Sequence, residues 1–178
     1  MTARTTVLVD VDGVVGALAN IEEPLPHWPE SSWRVEFVKE VLGPPVRYST
    51  HVVDGLLRIS QMPGVTMVWC TSWTDLAPGR LADAIGVGED WDYVPERRRD
   101  GQRGGHFWKA RAAQQFFVLS DRVVWIDDDI DYMRTFLEQE GAADEWAWMD
   151  DRVLTVCPPS RTGLTAEHFA IIEAFLTR

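Results

Sequence analysis

Asp10 and Asp12, one residue apart and followed by Gly13, close the apolar run Val7-Leu8-Val9 near the start of the chain. Alternate residues of a strand share a face, so both carboxylates project to the same side where the strand ends. Two like charges held that close call for a cation. Gly13 lets the chain turn where a Cβ would clash, which keeps the acids at the mouth of a cleft and out of the core. On this segment alone a solvated Asp-Gly turn is the competing reading. A second acidic run, Asp127-Asp128-Asp129, also follows a β-rich stretch, and Thr71-Ser72 closes a third. Oxygen-only ligands of this kind select a hard cation.

The elements that position these residues are legible as alternating patterns. Strand-like runs recur at Thr6 to Val9, Val65 to Cys70, Val123 to Ile126 and Val153 to Val156. Between them, His51 to Ser60, Trp108 to Leu119 and Tyr132 to Glu140 carry apolar residues at helical spacing. Pro63-Gly64 stops the first of these helices before the next strand. A last helix starts at an N-cap Thr165 and places Phe169, Ile172, Phe175 and Leu176 on one face. This alternation predicts an α/β fold, a central parallel sheet covered on both faces. In such sheets ligands bind beyond the carboxyl ends of the strands, where Asp10, Asp12, Thr71 and Asp127 to Asp129 all fall.

Residues 16–50 are irregular and proline-rich, with a hairpin expected from Trp33 to Val38 and Val46 to Ser49. A long connection directly after the first strand is placed to cover a site. At 178 residues the chain fits a single domain, 1–178, with 16–50 as a flap or small cap insertion.

The net charge of −11 opposes sequence-independent attraction to phosphate backbones. Arg97, Arg98, Arg99 and Arg103 form a local basic concentration, read as a solvated loop in preference to a polyanion site. Cys70 and Cys157 sit in apolar contexts that suit reduced thiols better than a disulfide framework. No stretch approaches the ~20 apolar residues of a membrane span, and the N-terminus lacks a signal-peptide pattern. A soluble cytoplasmic protein is the expectation.

Four features now stand in order: Asp10-x-Asp12-Gly13, a strand ending in Thr71, Lys109 opening a helix, and an apolar strand ending in Asp127-Asp128. In order, spacing and context this set resembles the haloacid dehalogenase-like hydrolase superfamily, in its phosphatase branch with two aspartates in the first motif. The resemblance spans Thr6 to Asp128, and the last strand and helix suit the rest of such a core. It implies a Rossmann-like three-layer sandwich with a small flap or hairpin insertion after the first strand. It also implies a magnesium-dependent phosphatase hydrolysing phosphomonoesters through an aspartyl-phosphate.

Each residue type fits that chemistry. A carboxylate at Asp10 can attack phosphorus without activation by a base. Asp12 can protonate the leaving oxygen and then take a proton from water. Thr71 and Lys109 suit the negative charge spread over the phosphoryl oxygens. By resemblance, Mg2+ takes a carboxylate oxygen of Asp10, the main-chain carbonyl of Asp12 and the carboxylate of Asp128. Asp127 is left as either a ligand or an orienting neighbour, and Asp129 and Asp131 are expected to cap the next helix.

The connection after Gly13 is too short for a large helical cap, so the implied site is largely open. The substrate is then a phosphorylated molecule of unknown class. The segment with Cys157-Pro158-Pro159 and Gly163-Leu164-Thr165 is similar to small actinobacterial-type domains of the superfamily, some associated with RNA end repair. A nucleic-acid end phosphatase, 3′ or 5′, is therefore an alternative, disfavoured by net charge but needing only a few phosphate contacts. A catalytically silent binding module and phosphoryl transfer to an acceptor other than water are further alternatives. Trp73 and Trp108 are candidates for an aromatic wall, although core packing is the expected role for most of the nine tryptophans. His106 and Arg161 are expected to be solvated loop residues.

Overall fold

A computed structural model describes residues 3–39, 41, 43–95 and 108–178. The Arg97, Arg98, Arg99 and Arg103 concentration and His106 lie outside the described residues. In chain order the strands are β1 (Thr5–Val9), β2 (Trp33–Glu36), β3 (Val46–Ser49), β4 (Val65–Trp69), β5 (Asp92–Tyr93), β6 (Arg122–Ile126) and β7 (Val153–Val156). The helices are α1 (Thr50–Ser60), α2 (Ala82–Ile85), α3 (Trp108–Leu119), α4 (Ile130–Gln139) and α5 (Ala166–Leu176).

Five of these strands form one parallel sheet in the order β5-β4-β1-β6-β7, as the alternation of strands and helices predicts. β1 lies at its centre, with every residue buried, because its side chains are covered on both faces. Val7 and Val9 face a cluster built with α1 and α5, including Val52, Leu56, Phe169 and Ile172. Leu8, Val68 and Trp125 face the opposite cluster, where α3 and α4 supply Ala112, Ala113, Ile130 and Met133. The period-2 alternation of β1 is therefore visible as membership of two separate cores.

β2 and β3 form the expected antiparallel hairpin within residues 16–50, with Trp33 opposite Ser49 and Glu36 opposite Val46. Its first strand ends at Glu36, two residues short of the expected Val38. The hairpin is tied to the turn after β1: Ala17 N–H donates to Arg47 O at 2.8 Å. Arg47, buried in spite of its charge, donates to the carbonyls of Asn20 and Glu23 and so holds the loop down.

Three departures from the sequence reading have local causes. Thr74 to Ile85 forms a continuous run of 3-10, π and α-helical turns where no element was expected. Pro78 lies in the first turn of the π-helical stretch, where a proline removes only a donor that has no helical partner. α4 begins two residues before the predicted Tyr132, and Asp129 at its N-cap makes no side-chain capping bond. Its backbone, at φ −90 and ψ 0, lacks the extended conformation from which N-cap side chains reach forward. Asp131 lies in the first turn of α4, exposed, 3.8 Å from Arg134. At the other end of the chain, Thr165 is the N-cap of α5 as expected, its N–H donating to His168 Nδ1 at 3.0 Å.

Candidate active site

The site follows from strand register. Val9 pairs with Trp69 on one side and Ile126 on the other, so Asp10, Cys70 and Asp127 come next, side by side beyond three adjacent strands. By alternation all three share the face of Leu8, Val68 and Trp125, which α3 covers. α3 opens at that end and carries Lys109 in its first turn.

Lys109 Nζ lies 2.7 Å from Asp10 Oδ2 and 3.0 Å from Asp127 Oδ2. It donates a hydrogen bond to Asp10. It also ion-pairs with Asp127, whose buried Oδ2 has no other polar partner among the described residues. Asp127 Oδ1 accepts from Asp129 N–H at 2.9 Å, so Asp129 serves the site through its backbone. Burial would pull the Lys109 pKa down, but Asp10 and Asp127 outweigh it and hold the ammonium well above the ordinary lysine value. Lys109 is thus a permanent charge.

The carboxyls show the opposite balance. Burial first, then the charge of Asp10, raises Asp127. Burial, Asp10, Asp129 and Asp127 push Asp128 up to about 7. One ammonium does not offset this many carboxylates, and the cluster is short of positive charge. Carboxylate oxygens of Asp10, Asp127 and Asp128 lie within 4.8 Å of one another. Among the described residues no side chain hydrogen-bonds the Asp128 carboxylate. Its position depends on Gly13: at φ +76, a Cβ there would stand 2.2 Å from Asp128 Oδ2. A hard divalent ion such as magnesium fits this oxygen-only set.

Asp12 is half-buried on the turn that follows Asp10. Trp73 Nε1 donates to Asp12 Oδ2 at 3.0 Å. Burial raises the Asp12 pKa, the Trp73 bond opposes it and Asp10 adds to it, with a net rise in the direction a general acid requires. Thr71 is fully buried just beyond β4, its carbonyl accepting from Thr74 N–H at 3.1 Å.

The structure therefore brings Asp10, Lys109, Asp127 and Asp128 together and sets Asp12 and Thr71 on the adjoining turns. Trp108 packs against the α3–α4 core and Arg161 pairs with Glu23, so neither joins the cluster. Both cysteines are free. Sequence reasoning missed two participants: Trp73 as a partner of Asp12, and Cys70 beside Asp10. The parity of Val68 and Cys70 against Leu8 and Asp10 was a usable signal for the second. Burial pushes the Cys70 thiol well above its usual pKa, which makes it a packing residue and not a nucleophile.

No protein-family model matches the chain, and no curated protein matches it. Among solved structures it is similar to a Legionella pneumophila effector, Ceg4, crystallised with an N-terminal yeast Hog1p sequence. The identity is 11%, over 98% of this chain and 96% of that one, with a TM-score of 0.55. At that identity the likeness concerns the fold: an α/β architecture with a parallel central sheet. No helix among the described residues is long and apolar enough to cross a membrane.

Proposed function

We propose that this chain is a magnesium-dependent phosphomonoesterase of the haloacid dehalogenase-like superfamily, with a Rossmann-like three-layer core and the hairpin as a small flap. The observation that carries the reading is the Asp10–Lys109–Asp127 network beside Asp128, at the carboxyl end of the central strand. In this reading Asp10, Asp128 and the main-chain carbonyl of Asp12 hold Mg2+, which when bound neutralises phosphoryl charge. Asp127, with one oxygen taken by Asp129 N–H and the other facing Lys109, orients the lysine.

Asp10 attacks phosphorus, and the bond to the leaving oxygen breaks as the new one forms. The electron pair departs with that oxygen, which takes a proton from Asp12. Water then attacks the aspartyl-phosphate, giving its proton back to Asp12 and releasing inorganic phosphate and the Asp10 carboxylate. Lys109, fixed by two buried carboxylates, is pre-oriented toward the phosphoryl oxygens, and such preorganised charge costs no reorganisation during the reaction. The substrate is a phosphate monoester whose class the flap and neighbouring loops select.

A panel of nucleotides, sugar phosphates, phosphorylated oligonucleotides and aryl phosphates, assayed with magnesium, tests the reading. Phosphate release by the parent and its loss in Asp10→Asn is the expected result. No release on any ester, or equal release by the variant, overturns it. A new ester formed from an added alcohol, in place of free phosphate, redirects the same covalent chemistry to transfer.

A further inference from the structure

We infer that Trp73 is a positioning residue for Asp12, holding its Oδ2 as an acceptor so that the transferable proton is carried by Oδ1. This rests on the phosphatase reading above. An indole N–H only donates, and the oxygen it bonds cannot present a proton along the same line. The bond spans 61 residues of sequence, so it is made by the fold and not by local chain geometry. Lys109, the cation of the cluster, makes its ion pairs with Asp10 and Asp127, while the side-chain hydrogen bond to Asp12 comes from Trp73.

Indole bonding of this kind is not forced by burial in this protein. Among the described residues the buried N–H groups of Trp33, Trp125 and Trp146 have no hydrogen-bond partner, while those of Trp28 and Trp69 donate to the carbonyls of Leu164 and Gly88. The backbone around Trp73 is also held in an unfavourable shape. Thr74, a β-branched residue, has φ +49, in the left-handed region that L-residues avoid. Such strain persists where surrounding contacts over-determine the conformation. Here Thr74 N–H donates to Thr71 O at 3.1 Å and Leu76 N–H to Trp73 O at 2.9 Å, and a π-helical turn follows at Ala77–Leu81. The Trp73 ring packs against the α1–α5 core, which fixes the indole's direction.

Trp73→Phe keeps an aromatic ring, smaller than the indole, and removes the donor. kcat/KM for aryl phosphates reports the steps up to the phosphoenzyme, where Asp12 delivers its proton. A phenolate leaving group needs that proton, whereas 4-nitrophenolate is stable without it. Trp73→Phe should therefore lose roughly 10- to 100-fold on phenyl phosphate, the scale of a hydrogen bond to a charged group. On 4-nitrophenyl phosphate it should lose less than about threefold. Equal losses on both esters, or none, overturn the inference, because a merely structural tryptophan does not distinguish leaving groups. A readout independent of turnover comes from the Trp73 indole N–H resonance, assigned by its loss in Trp73→Phe. It should move in Asp12→Asn while the Trp28 and Trp69 resonances stay in place, and an unmoved resonance also overturns the inference. Should the parent hydrolyse neither ester while this resonance responds, the phosphatase reading fails and the Trp73–Asp12 contact stands.

Discussion

Two sets of ion pairs in this molecule use the same chemistry in opposite surroundings. At the end of β1, Lys109 is held between Asp10 and Asp127, with side-chain exposures of 13%, 5% and 0%. Between α1 and α5, Arg58 meets Glu173 at 2.7 Å with exposures of 57% and 37%, and Asp150 meets Arg152 in a turn at 2.9 Å. The exposed pairs are screened by water and close locally favourable geometry. The buried network brings together charges that each lose hydration, and desolvation opposes it at every member. A fold selected for stability alone would fill that position with apolar side chains. The difference teaches that the buried cluster is held at a cost that stability alone does not explain, which marks it as the candidate site, whereas the surface pairs carry no such cost.

Removing the cation at the buried end should have the largest effect. Lys109→Met leaves Asp10 and Asp127 without their shared cation and should lower unfolding stability by about 3–5 kcal/mol. Urea denaturation measures this, and adding Asp10→Asn to the variant should recover part of the loss. A loss below about 1 kcal/mol would place the buried network in the same class as the surface pairs.

Next comes the turn that shapes the cluster. Gly13→Ala puts a Cβ against the Asp128 carboxylate at a left-handed φ and should cost about 1–2 kcal/mol. Affinity for magnesium, measured by calorimetry, should fall with it, since the carboxylate must move. Unchanged affinity would separate Asp128 from the cation site.

The exposed pair should respond weakly. Arg58→Met keeps the aliphatic stem and should change stability by less than about 1 kcal/mol, an effect that shrinks further as salt is added. A smaller pH effect belongs to α5. His168 accepts from Thr165 N–H and its pKa is lowered, chiefly by burial. Its neutral form therefore contributes stability above its unfolded pKa of about 6.5, and the contribution is lost as pH falls through the folded value. Between about pH 7 and pH 5, His168→Gln should show a shallower decline in stability than the parent.

How much of this was legible beforehand depended on whether the signal was local. β7 and α3 match their predicted bounds, and β1, β4 and β6 match to within a residue, because each strand is a short β-rich run closed by polar residues. Asp10 and Asp127 were legible as candidates from their places at strand ends, and Lys109 only through the ordered set of motifs that carries the family resemblance. Their mutual distances came only from the register of β1 with β6. β5, at two residues, is too short to show alternation, and Pro78 hid a helical turn that tolerates proline. The Trp73–Asp12 bond joins distant turns and has no trace in spacing.

Trapping the covalent intermediate tests the central claim most directly. Protein mixed with 4-nitrophenyl phosphate and magnesium is quenched in acid, digested and examined by mass spectrometry. The account predicts a peptide bearing one phosphoryl group on Asp10, absent from Asp10→Asn. Phosphate release with the phosphoryl group on another residue, or no release and no phosphorylated peptide, would contradict it.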